Sequence, residues 1–309
     1  MKICFFGVGG VGGYFGSIIT KKFIVEHEIY FVARGEHKKE ICTNGLTLKK
    51  SGGEQIIIAS PTRCTDNVDE LPICDIVFLS VKAYDLTNAS IAIQKISDEK
   101  TIILPLLNGV DIYERIRENL TNGFVLPSCV YIGTHIESPG VIYQKGGNCN
   151  IFIGRDPRFP DFNPGLLLTL LKESDVDFKL DENIKVPIWS KYMFIAAYGL
   201  VSATYDKTLG EILDDPELSQ ITKAIMFEIE QIAIRLKVQL DNDIVETSFI
   251  KGKQFPYEAK TSFQRDVESK GKINEFDLFG GTLVRYGEQY NIPTPNIKMV
   301  SGKFIEKMK

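Results

Sequence analysis

The sequence predicts an α/β fold, with a doubly wound parallel sheet in the first part and an all-helical domain after it. Two observations support this prediction. Up to about residue 180, short apolar runs alternate with stretches of helical spacing, and repeated βα units of this kind build parallel sheets. From about residue 183 onward, the apolar residues follow helical spacing. We therefore predict a first domain at 1–182 and a second at 183–309.

A glycine-rich turn separates the first predicted strand from the first predicted helix. Residues 3–6 are typical of a buried strand, and a helix is predicted over 11–19. Between them, Gly7-x-Gly9-x-x-Gly12 fits the dinucleotide fingerprint of Rossmann-type sheets, in which glycines permit a tight turn and close approach to a pyrophosphate. An ordinary glycine-rich turn is the alternative. The predicted cofactor-binding residues here are Gly7, Val8, Gly9, Gly10, Val11 and Gly12.

The segment after the second predicted strand, 27–32, indicates which nucleotide is bound. Arg34 lies about 20 residues beyond the fingerprint, where Asp or Glu usually holds the ribose 2′-OH of NAD. A guanidinium instead matches a 2′-phosphate bidentately, so Arg34 predicts NADP(H). The alternatives are a solvated surface arginine and a role for the nearby Glu36.

The remaining signals of the first domain continue to alternate. A hairpin is predicted from 45–49 and 55–59, which flank Ser51, Gly52 and Gly53. Further strands are predicted at 75–80, 101–104, 124–130 and 176–180, and helices at 85–96, 112–120 and 166–172. Three short strands at 134–136, 141–144 and 150–153 predict an antiparallel edge. The segment 181–183 is the candidate hinge.

Bulk composition excludes several classes of protein. A net charge of −4 gives no general attraction to nucleic acid or anionic lipid. Six dispersed cysteines without a C-x-x-C pair, and only three histidines, indicate neither a metal site nor a disulfide framework. The uncharged stretch 192–205 is too short and too polar to span a bilayer, and the chain starts directly with a strand instead of a signal peptide. We therefore expect a cytoplasmic protein without nucleic-acid or membrane partners.

Two candidate residues lie just beyond predicted strands of the sheet, where open α/β sheets bind their ligands. Lys82 follows the strand at 75–80 and can meet a phosphate or a substrate carboxylate. Asn108 follows the strand at 101–104 and can hydrogen-bond ribose, nicotinamide or substrate. A surface lysine and an Asn-Gly turn are the respective alternatives.

The helical half contributes three further candidates. Lys191 is the single charged residue of the stretch 187–205. A charge in a nearly buried helix must extend to solvent, pair, or face a cleft, and the cleft would make it functional. Ser262 and Glu275 supply a hydroxyl and a carboxylate. Glu275 can equally be a first-turn carboxylate of a helix that Asn274 caps.

Seven strings, in order, make nearly the whole chain resemble the ketopantoate reductase (2-dehydropantoate 2-reductase) family. They are GVGGVGGYFG, SVKAYD, LLNGV, WSKYMF, TSFQRD, NEFD and GEQYNIPTP. The resemblance implies reduction of 2-dehydropantoate to (R)-pantoate by NADPH, in the synthesis of pantothenate and coenzyme A. It also implies a Rossmann domain joined to a helical domain similar to the C-terminal domain of 6-phosphogluconate dehydrogenase.

The resemblance also implies roles for single residues. Lys191 matches the family's catalytic lysine, which would protonate the alkoxide formed when C2 of a 2-oxo acid accepts hydride from NADPH. The other matches are Glu275 as the motif carboxylate, Asn108 as a contact to cofactor and substrate, Ser262 as the substrate serine, and Arg34 with Lys82 as the basic pair on the cofactor side.

Two departures from the family pattern concern the substrate. The family often has asparagines four and eight residues after the lysine, where this chain has Ile195 and Gly199. The spacing from Asp266 to Glu275 is also one residue longer than usual. We expect a more apolar pocket for a small 2-oxo acid, in a monomer or homodimer. The alternatives are a reductase of the same fold for a different 2-oxo or 3-hydroxy acid, and a catalytically silent NADP-binding sensor.

Overall fold

The computed structural model describes residues 1–51, 56–269 and 273–309. Within these ranges the chain forms two compact units. The first comprises Met1–Asn108 and Ile112–Ile184, and the second comprises Gly109–Asp111 and Lys185–Lys309. The short segment directly after Asn108 therefore packs with the helical unit, although it lies far from it in sequence.

All strands that the structure describes belong to the first unit. They are β1 (Lys2–Phe6), β2 (Glu28–Val32), β3 (Leu46–Lys50), β4 (Ile56–Ala59), β5 (Arg63–Thr65), β6 (Ile76–Leu79), β7 (Ile102–Pro105), β8 (Phe124–Val125), β9 (Ser128–Ser138), β10 (Val141–Ile153) and β11 (Phe178–Leu180). The helices of this unit are α1 (Gly10–Phe23), α2 (Gly35–Asn44), α3 (Leu86–Ile93), α4 (Ile112–Arg117) and α5 (Gly165–Glu173).

The main sheet has six parallel strands in the order β5-β2-β1-β6-β7-β8. The chain moves outward from β1 in one direction and then, from β6, in the other. This order is the doubly wound Rossmann arrangement, so the predicted fold class is confirmed. Apolar side chains of paired strands pack side by side on the faces of the sheet, and the rings of Phe5 and Phe78 stack with centroids 4.6 Å apart.

A second sheet contains the other five strands, in the order β11-β10-β3-β4 with β9 also paired to β10. The antiparallel pair β3–β4 confirms the predicted hairpin for the described residues, while Gly52, Gly53 and Gln55 lie outside them. The pairing of β9 with β10 is antiparallel, as expected of this part of the chain.

The strand predicted at 124–130 is wrong. The chain leaves the main sheet after Val125 and enters the second sheet at Ser128. Pro127 lies between the two strands and has no N–H to donate to a ladder. The continuous apolar run at 124–130 is therefore divided between two strands, which lie in different sheets.

The three separate short strands predicted at 134–136, 141–144 and 150–153 are also wrong. The first is part of β9, and the other two are parts of the single strand β10. The register of β9 with β10 shifts on both sides of Gly146, where φ is +150°. A glycine in such a conformation lets the ladder bulge and continue, so it marks an irregularity within one strand.

Two elements give no signal that sequence periodicity could detect. In α2, Ile41 is the one buried residue, so the helix lacks an apolar stripe. Strand β5 has only three residues and pairs along one side, with β2. Both elements lie next to the end of β2, where Arg34 begins the connection to α2.

The second unit contains helices joined by turns, and no strand within its described residues. Its helices are α6 (Lys185–Tyr205), α7 (Leu209–Asp214), α8 (Pro216–Arg235), α9 (Ile244–Ile250), α10 (Ser262–Glu268), α11 (Thr282–Tyr290) and α12 (Pro295–Lys307). A π-helical turn, Asp277–Gly281, leads directly into α11. The long helix α6 is central, because it packs against α8, α10 and α12 and its second half is almost entirely buried. No helix within the described ranges is both long and apolar enough to cross a membrane.

Candidate functional site

The glycine-rich turn after β1 lies against the end of β6. At Gly7, φ is +93° and an added Cβ would lie 2.9 Å from the carbonyl carbon and oxygen of Ser80. At Gly12, a Cβ would lie 2.1 Å from Ser80 Oγ and 2.2 Å from the Gly7 oxygen. The Ser80 hydroxyl donates to that same oxygen at 2.7 Å. Only residues without a side chain fit at these two positions, as the fingerprint requires.

The middle glycine of the fingerprint, Gly9, is open to its surroundings. Gly9 precedes α1 as its N-cap residue, and an added Cβ there would meet nothing within 4 Å. The first turn of α1 has neither a side-chain cap nor an acidic residue. Its N–H groups and the positive end of the helix dipole are therefore suited to an anion. This cradle fits the pyrophosphate of a dinucleotide.

Arg34 lies at the end of β2 as the N-cap residue of α2. Its guanidinium forms an ion pair with Asp85 at 3.5 Å, and its side chain is 65% exposed. Nearby on α2, Lys38 pairs with Asp66 at 2.9 Å, and this hydrogen bond raises the pKa of Lys38 and lowers the pKa of Asp66. This corner of the sheet thus combines basic groups with acidic partners at the surface.

Lys82 and Asn108 lie at the carboxyl ends of neighbouring strands of the main sheet. Lys82 follows β6 and precedes a 3-10 turn, Ala83–Asp85, whereas Asn108 follows β7. Both residues are half-buried. Because β1, β6 and β7 are adjacent and parallel, the structure brings the glycine-rich turn, Lys82 and Asn108 to one edge of the sheet.

His37 contacts the glycine-rich turn and was not predicted from the sequence. It lies in the first turn of α2, with Nε2 at 2.7 Å from the Val8 carbonyl oxygen. Its Nδ1 accepts a hydrogen bond from the backbone N–H of Gly140 at 3.0 Å. Burial lowers the pKa of His37, which favours the neutral imidazole. The sequence offered one weak signal for His37, its position three residues after Arg34. The helix α2 that carries it was not predicted from the apolar pattern.

In the helical unit, Lys191 lies on α6 and is half-buried. The adjacent Tyr192 is buried, and its hydroxyl donates to the Leu278 carbonyl oxygen at 2.5 Å. The ring of Tyr192 also stacks near that of Phe279, with centroids 6.4 Å apart. These contacts hold the part of α6 that carries Lys191 against the π-helical turn.

Glu275 lies two residues before this turn and is buried, with 7% of its surface exposed. Its carbonyl oxygen accepts from the N–H groups of Leu278 and Phe279 at 3.0 and 3.2 Å. The Asn274 side chain accepts from the Phe276 N–H at 3.0 Å, but the N-cap residue of the helical turn is Phe276, so Asn274 is not its cap. Since Leu278 also binds Tyr192, the Glu275 segment and the Lys191 segment are neighbours within this unit.

Ser262 begins α10 and is exposed. The residue before it, Thr261, caps the helix by accepting from the Gln264 N–H at 3.1 Å. The Thr261 hydroxyl also lies 2.9 Å from that of Ser202 on α6. The structure therefore places Ser262 beside the second half of α6, farther along the helix than Lys191.

The positions four and eight residues after Lys191 carry no polar side chain. Ile195 is half-buried. Gly199 is buried, and an added Cβ would lie 3.7 Å from both Cβ and Cδ1 of Phe263. The Phe263 side chain thus covers the place from which an asparagine side chain at position 199 would extend.

The hydroxyl groups of α6 that could replace the asparagines already have protein partners. Tyr198 donates to the Phe249 carbonyl oxygen at 2.7 Å. Ser202 contacts the Gly199 carbonyl oxygen at 3.2 Å in addition to Thr261. With the bond of Tyr192 to Leu278, these hydrogen bonds connect α6 to its neighbours. The hydroxyls near Ile195 are therefore engaged within the protein. Elsewhere, the described ranges contain no group of three His, Cys, Asp or Glu side chains that could hold a metal ion.

Family models match both halves of the chain. A model described as ketopantoate reductase PanE/ApbA matches residues 3–158, and one described as ketopantoate reductase PanE/ApbA C terminal matches residues 183–307. A 2-dehydropantoate 2-reductase of Mesorhizobium japonicum is 28% identical over 97% of this chain and 95% of that protein.

Solved structures resemble the chain over nearly its full length. The 2-dehydropantoate 2-reductase of Porphyromonas gingivalis W83 has a TM-score of 0.82 at 26% identity, covering 99% of each chain. A ternary structure of D-mandelate dehydrogenase with NADH and anilino(oxo)acetate has a TM-score of 0.85 at 21% identity, covering 99% of this chain and 98% of that one. The second similarity is one of fold.

Proposed function

This chain belongs to the ketopantoate reductase family, and we propose that it reduces 2-dehydropantoate to (R)-pantoate with NADPH, in pantothenate biosynthesis. Membership of the family makes it an oxidoreductase that uses a pyridine nucleotide and acts on a small oxo acid. The observation that supports the proposal most directly is the match of family models to both halves, each of which carries part of the candidate site.

The first unit would hold the cofactor. When bound, the reduced nicotinamide supplies the hydride that the substrate C2 carbonyl accepts. The N–H groups at the start of α1 would bind the pyrophosphate, with Gly9 leaving the space for it. Arg34 would bind the 2′-phosphate and Lys82 would add positive charge, while Asn108 would hydrogen-bond cofactor and substrate at the end of β7.

Lys191 would be the general acid of the reaction. As C2 accepts hydride, negative charge develops on the carbonyl oxygen, and the lysine Nζ donates a proton to that oxygen to complete the alcohol. An ammonium group both neutralises the charge and supplies the proton, and general-acid catalysis of this kind contributes about 10²- to 10⁴-fold. The half-buried position of Lys191 on α6 suits this role. A lysine can pack its aliphatic stem against the protein and still present its ammonium group at the surface.

Glu275 and Ser262 would bind and orient the substrate. The Glu275 carboxylate would hold a substrate hydroxyl or orient Lys191, since its segment and that of Lys191 meet through Tyr192 and Leu278. Ser262, at the exposed start of α10, would bind the substrate carboxylate or a hydroxyl. These roles are inferred from the family motif and from the placement of the residues within the helical unit.

The preference for NADP(H) over NAD(H) is part of the proposal and rests on Arg34. Its present partner is Asp85, at 3.5 Å on the surface. Exposed ion pairs contribute only about 0–1 kcal/mol, whereas hydrogen bonds to charged groups contribute about 1.5–3 kcal/mol. A bidentate contact to a 2′-phosphate would therefore outweigh the pair with Asp85.

A second candidate function is reduction of a 2-oxo acid that carries fewer hydroxyl groups than 2-dehydropantoate. Ile195 and the covered Gly199 favour it, because two amide partners of the family pattern are replaced by apolar surface. The fold alone does not choose between substrates, since D-mandelate dehydrogenase shares it.

A substrate panel tests both candidates. Purified protein is mixed with NADPH or NADH and with 2-dehydropantoate, its analogue without the 4-hydroxyl, or simple aliphatic and aromatic 2-oxo acids, and the loss of reduced-nicotinamide absorbance is followed. Highest kcat/KM for 2-dehydropantoate supports the first candidate, and highest kcat/KM for a less hydroxylated acid supports the second. If no 2-oxo acid oxidises either coenzyme, both candidate functions are contradicted.

A further inference from the structure

The imidazole of His37 connects three separate segments of the first unit. It lies on α2, it contacts the carbonyl oxygen of Val8 in the glycine-rich turn, and it contacts the N–H of Gly140 between β9 and β10. The backbone N–H of Gly140 can only donate, so Nδ1 must be the unprotonated nitrogen. The ring proton is therefore on Nε2, which donates to Val8, and the neutral Nε2–H tautomer is the one that satisfies both contacts.

The contact with Val8 fixes the orientation of one particular peptide group. Since the peptide between Val8 and Gly9 is planar and trans, its C=O and N–H point in opposite directions. Holding the Val8 carbonyl oxygen towards His37 therefore directs the Gly9 N–H away from it. Gly9 is the N-cap of α1, and an added Cβ there would meet nothing within 4 Å; the proposed function places the pyrophosphate in this open space.

Within the turn, the Val8 side chain is buried, and the backbone hydrogen bonds hold the neighbouring peptide groups. Val8 lies between two glycines, and Gly7 has a positive φ that only glycine adopts readily. The N–H groups of Gly7 and Val8 share one acceptor, the Val32 carbonyl oxygen, at 3.1 and 3.3 Å. These bonds hold the peptides before Val8, whereas His37 holds the one after it.

We propose that His37 is a positioning residue for the cofactor: its neutral Nε2–H tautomer holds the Val8–Gly9 peptide in the orientation that receives the pyrophosphate. The inference rests on the proposed binding of a pyridine dinucleotide by the glycine-rich turn. Because the pyrophosphate is common to both coenzymes, His37 supports the binding of NADPH and NADH equally. Arg34, three residues earlier, would act on the 2′-phosphate and hence on NADPH alone.

Three variants separate these roles by isothermal titration calorimetry with NADPH and NADH. His37→Leu removes the hydrogen bond to Val8, and we expect the Kd of both coenzymes to rise by about two- to tenfold, the range of one neutral hydrogen bond. His37→Gln can donate from its amide nitrogen to the same oxygen, and we expect it to recover most of the lost affinity. Arg34→Ala, as the control, should weaken NADPH only.

A spectroscopic measurement on the wild-type protein is independent of whether the variants fold. The ¹⁵N chemical shifts of the His37 imidazole should report a neutral ring protonated at Nε2, without and with NADPH. A ring protonated at Nδ1 would overturn the inference. So would unchanged coenzyme affinity in folded His37→Leu, or a His37→Gln variant that binds no better than His37→Leu. Failure of the wild type to bind either coenzyme would instead contradict the proposed function, and the inference with it.

Discussion

The glycine-rich turn and helix α6 show two different ways in which a chain builds a site. At the turn, Gly7, Gly9 and Gly12 act through the side chains they lack, so that backbone N–H groups become accessible and the turn can lie against Ser80 at the end of β6. On α6, Lys191 would act through its side chain, and the neighbours on that helix and on α10 decide what surrounds it. The proposed cofactor site is thus encoded by local backbone geometry, and the proposed substrate site by contacts between distant segments.

The largest effect expected of a single substitution is on the α6 side of this comparison. Lys191→Ala should lower kcat by about 10²- to 10⁴-fold, because the general acid is lost, while the Kd of NADPH stays nearly unchanged. Steady-state kinetics with the best oxo acid and calorimetry with NADPH measure the two quantities. Lys185→Ala, an exposed lysine on the same helix, is the matched control and should leave both unchanged. Wild-type turnover in Lys191→Ala would show that Lys191 is not the general acid.

On the cofactor side, the largest expected effect is that of Arg34. Arg34→Ala should reduce the affinity for NADPH by about ten- to a hundredfold and leave that for NADH unchanged, since a charge-assisted contact to phosphate is lost. The ratio of the two dissociation constants is the measurement. Lys39→Ala removes an exposed positive charge from the same helix and serves as the control. An unaltered ratio in Arg34→Ala would show that the guanidinium does not meet the 2′-phosphate.

Two glycines of the turn should respond differently to the same added methyl group. In Gly12→Ala, the Cβ would overlap Ser80 Oγ and the Gly7 oxygen, so we expect the free energy of unfolding to fall by about 1–3 kcal/mol. In Gly9→Ala the methyl group meets open space, and we expect a loss of no more than about 1 kcal/mol together with weaker coenzyme binding.

Chemical denaturation gives the stability of these two variants, and calorimetry gives their affinity for coenzyme. Equal stability losses in both variants would contradict the packing of Gly12 against β6. Full coenzyme affinity in Gly9→Ala would contradict the placement of the pyrophosphate over Gly9.

The smallest expected effect concerns specificity on α6. Ile195→Asn restores one amide of the family pattern, and we expect kcat/KM for 2-dehydropantoate to rise by about two- to tenfold relative to its analogue without the 4-hydroxyl. Ile195→Val keeps the site apolar and is the control. If wild type already prefers the hydroxylated substrate strongly and Ile195→Asn changes nothing, another group takes the place of the asparagines.

The fold was predictable where a segment's environment is uniform along its length. The buried strands β1, β6 and β7 have continuous apolar sequences because both faces of a parallel sheet are covered, and they are where the sequence places them. Prediction failed at the second sheet, where β8 and β9 are joined through Pro127 and where β10 bulges at Gly146. Which sheet a strand joins depends on partner strands far away in the chain. Local periodicity carries no information about those partners.

The candidate site divides in the same way. The spacing of Gly7, Gly9 and Gly12 predicted a nucleotide-binding turn, since a backbone site is specified by the residues that form it. His37 escaped notice because its two partners, Val8 and Gly140, are brought together only by packing of α2 against the turn and the second sheet.

The sequence by itself determined the doubly wound sheet, the helical second part, the glycine cradle and the candidate residues Arg34 and Lys191, because each depends on local spacing or on a single conspicuous charge. Only the tertiary structure decided that Phe263 covers Gly199 and that the hydroxyls of Tyr192, Tyr198 and Ser202 are engaged by residues of other segments. The physical reason is that burial and hydrogen-bond partnership are properties of pairs of segments. A sequence pattern names the groups a helix carries, and packing decides which of them remain available to a ligand.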